Sequence, residues 1–142
     1  MADFSLHETD WARDAADLSA VRRAVFIDEQ NVPEALEWDE YDAASAHLLA
    51  RAMDGAPIGC ARLLPDGHVG RMAVLPAWRG HGVGRVLLAA VLEMAQMHGH
   101  RAVRLSAQTQ AAGFYAAAGF VVEGAGYEEA GIPHVAMSKT LG

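Results

Sequence analysis

A glycine-rich stretch in the middle of the chain, Arg79 to Gly84, has the residue types that bind an anion. Its three glycines permit turn conformations that other residues avoid. The helical pattern that begins directly after it would present unpaired N–H groups and the positive end of a helix dipole. Because the apolar run Val69 to Leu75 precedes the stretch, it is predicted to join a strand to a helix, where a phosphate or pyrophosphate would fit.

Two familiar phosphate-binding motifs do not describe this loop. A nucleotide-binding P-loop needs lysine and then serine or threonine after its last glycine, where this chain has Arg85 and Val86. A dinucleotide fingerprint needs Gly-x-Gly-x-x-Gly and an acidic residue about 20 positions later, where Leu105 and Ser106 stand. On the loop alone, an ordinary glycine-rich turn between strand and helix stays open as the alternative.

The composition of the 142-residue chain is typical of a folded globular protein. Hydrophobic residues make up 52% and charged residues 20%, which excludes a disordered chain and predicts one domain over residues 1–142. No apolar run approaches the roughly 20 residues that cross a bilayer, and the N-terminus lacks the basic start of a signal peptide, so we expect a cytoplasmic protein with no membrane partner. A net charge of −7 argues against nucleic acid as a partner.

Charge is distributed unevenly along the chain. Residues 28–42 include seven acidic residues and no basic one, whereas arginines concentrate between Arg62 and Arg104. This polarity would suit an anionic ligand at the centre and a cationic group near the acidic segment. The alternative is a solvated acidic loop. The seven residues are Asp28, Glu29, Glu34, Glu37, Asp39, Glu40 and Asp42.

The hydrophobic pattern predicts an α/β (α+β) fold with the element order β-α-β-β-β-α-β-α-β-β. The predicted strands are 4–8, 45–53, 58–64, 68–75, 102–107, one that begins at 120, and 133–140. The predicted helices are one capped by Thr9 or Asp10 and stopped at 31–33, one at 83–98 and one at 108–118. Strands two to four form a hairpin meander, and the strand after the central helix marks a β-α-β crossover.

Two motifs and their separation along the chain resemble those of the GCN5-related N-acetyltransferase (GNAT) family. The pattern Arg-x-x-Gly-x-Gly occupies Arg79 to Gly84, and Phe114 to Phe120 reads Phe-Tyr-x-x-x-Gly-Phe. The segments Val25 to Gln30 and Gly131 to His134 further resemble the ElaA-type subgroup. The resemblance implies a mixed, mostly antiparallel central sheet flanked by helices, with acetyl-CoA as co-substrate.

The resemblance also implies where acetyl-CoA binds. In the family it lies in a V between the fourth and fifth strands, where a β-bulge leaves backbone groups free to pair with the pantetheine amides. Gln108 stands where many members carry an asparagine that contacts the cofactor. The residues expected to contact acetyl-CoA are Met72, Ala73, Val74, Arg79, Gly80, His81, Gly82, Val83, Gly84, Arg85, Gln108 and Tyr115.

The chemistry that the resemblance implies is direct attack of an amine on a thioester, with Tyr115 as the acid for the departing thiolate. An unperturbed phenol has a pKa of about 10, so it is protonated at neutral pH. A backbone N–H near Ala73 or Val74 is the expected oxyanion donor. The general base stays open among His47, His134, Glu29 and a water chain. No metal is expected, because no histidines or carboxylates have ligand spacing.

We therefore predict an acetyl-CoA-dependent N-acetyltransferase that acts on a primary amine of a small molecule or a peptide. The alternative is a non-catalytic module that binds acyl-CoA and regulates a partner, and the presence of Tyr115 favours catalysis. Members of the family often pair through edge strands or C-terminal elements, so a homodimer is an open expectation.

Overall fold

The computed structural model describes residues 3–142, so the first two residues of the predicted domain lie outside it. Its strands are β1 (Phe4–Thr9), β2 (Ala46–Ala52), β3 (Pro57–Leu63), β4 (His68–Val74), β5 (Ala102–Gln108), β6 (Val121–Glu129) and β7 (Ile132–Thr140). Its α-helices are α1 (Trp11–Arg22), α2 (Glu34–Glu37), α3 (Val83–Met97) and α4 (Ala112–Ala117). A π-helical segment (Arg23–Glu29) and 3₁₀ turns at Pro76–Trp78 and Thr109–Ala111 complete the elements.

The seven strands form one sheet in the order β1-β2-β3-β4-β5-β7-β6. β4 and β5 run parallel, as a crossover through α3 requires, and the other neighbouring strands are antiparallel. The predicted mixed, mostly antiparallel sheet flanked by helices is confirmed. No helix of residues 3–142 has the length and apolar character that crossing a bilayer requires.

The ends of two predicted helices differ from the sequence-based expectation. Asp10 caps α1 by accepting the N–H of Arg13 at 2.8 Å, but the helix widens into π-helical turns after Arg22. The spacing of apolar residues does not distinguish these turns from α-helical ones. Gln108, predicted to begin a helix, ends β5 instead because it pairs with His134 of β7.

Helices cover the two faces of the sheet unequally. On one face, α3 packs its apolar side over the strands in the larger core cluster, which includes Leu48, Val69 and Leu105. On the other face, α1 packs over Leu49, Cys60 and Ala73. Because α1 lies on β2, β3 and β4, the same face of β5, β7 and β6 is left open.

Much of the acidic segment is paired with arginines. Arg22 is 1% exposed and donates to the carboxylates of Glu37 at 2.8 Å and Asp42 at 2.7 Å. Arg62 donates to Asp42 at 3.0 Å and to Asp39 at 2.8 Å. These carboxylates therefore form a buried ion network under α1, which neither a solvated loop nor a free cation-binding surface describes.

The network gives a direct prediction for stability. Arg22→Ala removes the guanidinium that the buried Glu37 and Asp42 share, so it should lower the free energy of unfolding by about 3–5 kcal/mol. Urea denaturation followed by circular dichroism measures the change. Arg23→Ala, at the next position, breaks an exposed ion pair with Glu34 and should change the midpoint little. Equal midpoints for wild type and Arg22→Ala would contradict a stabilising network.

Candidate active site

β4 and β5 are paired only at the first two residues of β4. His68 lies opposite Arg104 and Val69 opposite Leu105, after which the two strands separate. The backbone groups that β4 and β5 direct toward each other beyond this point have no strand partner on that side, although such groups need a hydrogen-bonding partner. The V expected between the fourth and fifth strands is therefore present, and we call it the strand gap.

A β-bulge lies in β4 at the edge of the strand gap. Cys60 pairs with Ala73 and Arg62 with Gly70, so one residue of β3 lies opposite both Arg71 and Met72. Arg71 has a φ of +47°, a left-handed conformation that is uncommon for a residue with a side chain. The bulge changes the direction of β4 immediately before Met72 to Val74, the residues expected to contact pantetheine.

The glycine loop continues from β4 to the start of α3. Gly80 and Gly82 have φ values of +81° and +84°, which glycine adopts without strain. Gly82 is the N-cap of α3 and provides no capping side chain, and the first helical hydrogen bond runs from Val86 to Gly82. The N–H groups of residues 83–85 are therefore available to an anion.

Two arginines near this loop differ in their partners. Arg85 is exposed and has no ion-pair partner among residues 3–142. Arg79 binds the Glu29 carboxylate with both terminal nitrogens, at 2.7 Å each, and donates through Nε to the Val74 carbonyl at 3.1 Å. The Arg79 guanidinium lowers the pKa of Glu29, so this carboxylate is charged at neutral pH.

Glu29 and Gln30, at the end of the π-helical segment, connect the two sides of the strand gap. Glu29 binds Arg79, which follows β4, and Gln30 accepts a hydrogen bond at 2.7 Å from Gln108, the last residue of β5. Gln108 was expected to contact acetyl-CoA, and in this structure its amide is bound to Gln30. Gln30 was not among the predicted site residues, although it ends the segment Val25 to Gln30 that resembles the ElaA-type subgroup.

Tyr115 approaches the strand gap from the α3 face. Its ring packs against Phe114 and Phe120, and its hydroxyl lies 3.7 Å from the sulfur of Met72 in the bulge. Burial raises the pKa of Tyr115 to about 12. The phenol is therefore protonated at neutral pH and able to donate a proton.

A polar patch lies on the open face of β5, β7 and β6, beside Gln108. His134 is the register partner of Gln108, and its ring stacks on Tyr127 with centroids 6.2 Å apart. Its Nδ1 donates to the Ile132 carbonyl at 2.7 Å, which leaves the lone pair on Nε2. The Glu129 carboxylate lies 3.9 Å from that nitrogen.

Two further side chains join this patch and were not among the predicted site residues. The Ser106 hydroxyl is hydrogen-bonded to the Tyr127 hydroxyl and lies 3.5 Å from the Glu129 carboxylate. The alternation of β5 was the available signal for Ser106, since residues two apart on a strand share a face and Gln108 was already a candidate. Tyr127 lies on a strand whose extent the sequence pattern left undefined.

The three base candidates lie in three different environments. His134 belongs to the polar patch and is 7% exposed, and Glu29 is bound to Arg79. His47 is 1% exposed, donates through Nε2 to the Asp42 carbonyl at 2.8 Å and packs against Trp11. Burial lowers the pKa of His47, so this ring is a neutral part of the region around the ion network rather than of the strand gap.

Two other features bear on ligands. Among residues 3–142, no three His, Cys, Asp or Glu side chains are grouped so that they could hold a metal ion. A cleft of about 590 Å³ lies at the opposite end of the sheet, lined in part by Glu8, Arg13 and His98. Unlike this cleft, the strand gap combines unpaired strand edges with an uncapped helix start.

Known proteins match the chain over nearly its full length. The acetyltransferase (GNAT) domain family matches residues 13–141. The chain is 34% identical over 132 residues to protein ElaA of Escherichia coli (strain K12), and this match covers 87% of this chain and 86% of that protein. It is 39% identical over 124 residues to the uncharacterized N-acetyltransferase YjcF of Bacillus subtilis (strain 168), covering 84% and 87%.

Solved structures agree with these sequence matches. An acyl-CoA N-acyltransferase from Pseudomonas aeruginosa has a TM-score of 0.88 at 30% identity, covering 96% of this chain and 99% of that chain. The crystal structure of Escherichia coli ElaA has a TM-score of 0.87 at 29% identity, with the same coverage. The chain therefore belongs to the GCN5-related N-acetyltransferase family, is an acyltransferase that uses acyl-CoA, and is of the ElaA type.

Proposed function

We propose that this acyltransferase moves the acetyl group of acetyl-CoA to a primary amine of a small molecule or a peptide by direct attack. The observation that carries the proposal is the continuity of the strand gap with the uncapped start of α3. A pantetheine arm needs backbone partners along an extended path, and a pyrophosphate needs N–H donors at its end. In this chain the unpaired edge of β4 leads directly to the N–H donors at the start of α3.

The donor would bind along the exposed edge of β4 and the loop after it. Met72, Ala73 and Val74 would pair with the pantetheine amides, and the loop from Gly80 through His81 to Arg85 would bind the pyrophosphate. Arg85 supports this assignment because it is exposed and free of an ion pair among residues 3–142. Gln108 would contact the donor from β5, once its amide releases the hydrogen bond to Gln30 and binds the donor instead.

The reaction would proceed across the strand gap. The amine nitrogen attacks the acetyl carbonyl carbon, and the oxyanion that forms accepts a hydrogen bond from the N–H of Ala73 or Val74. The carbon–sulfur bond then breaks, and the CoA thiolate takes the proton of the Tyr115 hydroxyl. The nitrogen gives its excess proton to a base on the α1 face, so the products are an N-acetyl amine and CoA.

His134 is the base that the geometry favours. Its Nε2 carries the lone pair that can accept a proton, and the Glu129 carboxylate lies 3.9 Å from that nitrogen. Glu29 is a weaker candidate because Arg79 lowers its pKa, which makes the carboxylate a poorer proton acceptor. His47 is weaker again because it lies beside the ion network rather than at the strand gap, with its Nε2 bonded to the Asp42 carbonyl.

Release of the CoA thiol tests the proposed reaction. Wild-type protein with acetyl-CoA should release thiol with at least one member of a panel of alkylamines, diamines, amino acids and short peptides. Tyr115→Phe should lower kcat by about 100-fold, because the thiolate loses its proton donor, while the dissociation constant for acetyl-CoA stays the same. Binding of acetyl-CoA without thiol release with any amine would favour the non-catalytic module instead.

The pKa of Tyr115 predicts the alkaline side of the pH profile. Because burial raises this pKa to about 12, the acid is protonated throughout the neutral and moderately alkaline range. Its ionisation should therefore cause no fall in kcat up to about pH 10. Steady-state rates between pH 6 and 10 at saturating acetyl-CoA provide the measurement. A decline with a midpoint near pH 9, present in wild type and absent in Tyr115→Phe, would contradict the assignment.

Charge reversal at the loop tests donor binding. Arg79→Glu should weaken acetyl-CoA binding by roughly tenfold or more at low salt, because it places a negative charge near the pyrophosphate. Glu29→Gln breaks the same ion pair without reversing the charge at the loop, and it should leave the affinity within about twofold. Isothermal titration calorimetry measures both. Equal losses in the two variants would assign the effect to the ion pair and not to phosphate binding.

A further inference from the structure

The bulge residue Arg71 has an unusual backbone conformation for its place in the fold. Among residues 3–142, the non-glycine residues with positive φ are Asn31, Arg71 and Ala130, and of these only Arg71 lies within a strand. A residue with a Cβ adopts this conformation at an energetic cost, and it persists where surrounding contacts enforce it. The contacts of Arg71 should therefore explain the bulge.

The side chain of Arg71 is bound to the short segment from Leu36 to Asp39, which we call the tether segment. Its Nη2 donates to the Glu37 carbonyl at 3.1 Å and to the Asp39 carboxylate at 3.1 Å. Its Nε donates to the same carbonyl at 3.3 Å and lies 3.2 Å from the Glu37 carboxylate. One guanidinium thus contacts one backbone carbonyl and two carboxylates that lie more than 30 residues away in sequence.

Both ends of this connection are fixed. Glu37 is 3% exposed and its carboxylate also pairs with Arg22, so the tether segment is anchored in the buried ion network. On the strand side, the Cys60 thiol donates to the Arg71 carbonyl at 3.3 Å. The bulge is therefore held from the side chain and from the backbone at once.

The position of Met72 depends on the conformation of the residue before it. Met72 follows Arg71 directly, begins the backbone stretch proposed to bind pantetheine, and lies with its sulfur 3.7 Å from the Tyr115 hydroxyl. A relaxed bulge would move this stretch relative to Tyr115. Misplacement of about 1 Å in a reactive site costs as much as 100-fold in rate.

We infer that Arg71 is a positioning residue that holds the β4 bulge in the conformation that binds the acyl donor, by tying it to the tether segment beneath α1. The inference rests on the proposed function of the strand gap. It assigns a role to an arginine that contacts neither the glycine loop nor Tyr115. Through this residue the buried ion network would determine the affinity for the donor.

Three substitutions at position 71 separate backbone conformation from packing. Arg71→Ala removes the tether and keeps a Cβ, so it should weaken acetyl-CoA binding by about tenfold. Arg71→Gly also removes the tether but adopts positive φ freely, so it should weaken binding by only about threefold. Arg71→Lys keeps the charge beside Glu37 and Asp39 but cannot make the forked contacts, so it should fall between wild type and alanine.

Calorimetric titration with acetyl-CoA, at a temperature where circular dichroism shows every variant folded, provides the measurement. Arg23→Ala is the matched control, because it removes the ion pair to Glu34 at the start of α2 without touching the bulge. It should bind acetyl-CoA as wild type does. Arg71→Lys keeps the test available if the alanine variant does not fold.

The possible results have distinct meanings. Binding by folded Arg71→Ala and Arg71→Lys within twofold of wild type would overturn the inference and leave the proposed function intact. Equal weakening by Arg71→Ala and Arg23→Ala would overturn it too, since the effect would then come from the α2 region in general. Failure of the wild-type protein to bind acetyl-CoA would overturn the proposed function and this inference with it.

Discussion

The early separation of β4 and β5 is the constraint on which the rest of the site depends. Two parallel strands that stop pairing after two residues leave backbone donors and acceptors without partners inside a fold, where such groups need them. The bulge at Arg71 and the glycine loop extend this opening along β4 to the start of α3. Tyr115 reaches it from one face, and Glu29 and Gln30 cross it on the other.

The charged residues around the strand gap fall into two groups, one that stabilises the fold and one that lies where a ligand could bind. Arginines pair with Glu37, Asp39 and Asp42, so these carboxylates stabilise the region beneath α1 and are not free to receive a cationic acceptor. The open face of β5, β7 and β6 carries further polar groups beside the gap, the exposed Glu129 and the buried His134. Under the proposed function, an amine acceptor would approach the Glu129 carboxylate and His134 from this face.

The sequence predicted the features that depend on neighbouring residues. The hairpin meander, the crossover helix and the glycine loop follow from periodicity and turn residues within short windows, and the structure has each of them. Contacts between distant segments could not be predicted from the sequence pattern. The pairing of Arg79 with Glu29, 50 residues apart, and the burial of His47 under α1 depend on how elements pack. Gln108 extends β5 because of a partner strand that comes later in the chain.

Amide hydrogen exchange with and without acetyl-CoA tests the central claim most directly, because the claim concerns which backbone groups bind the donor. Exchange should be slower in the presence of acetyl-CoA at Met72 to Val74, where β4 has no strand partner on its β5 side, and at residues 83–85, where the first N–H groups of α3 lack a partner. Unchanged exchange at both stretches, with protection instead around Arg13 and His98 at the opposite end of the sheet, would contradict this claim.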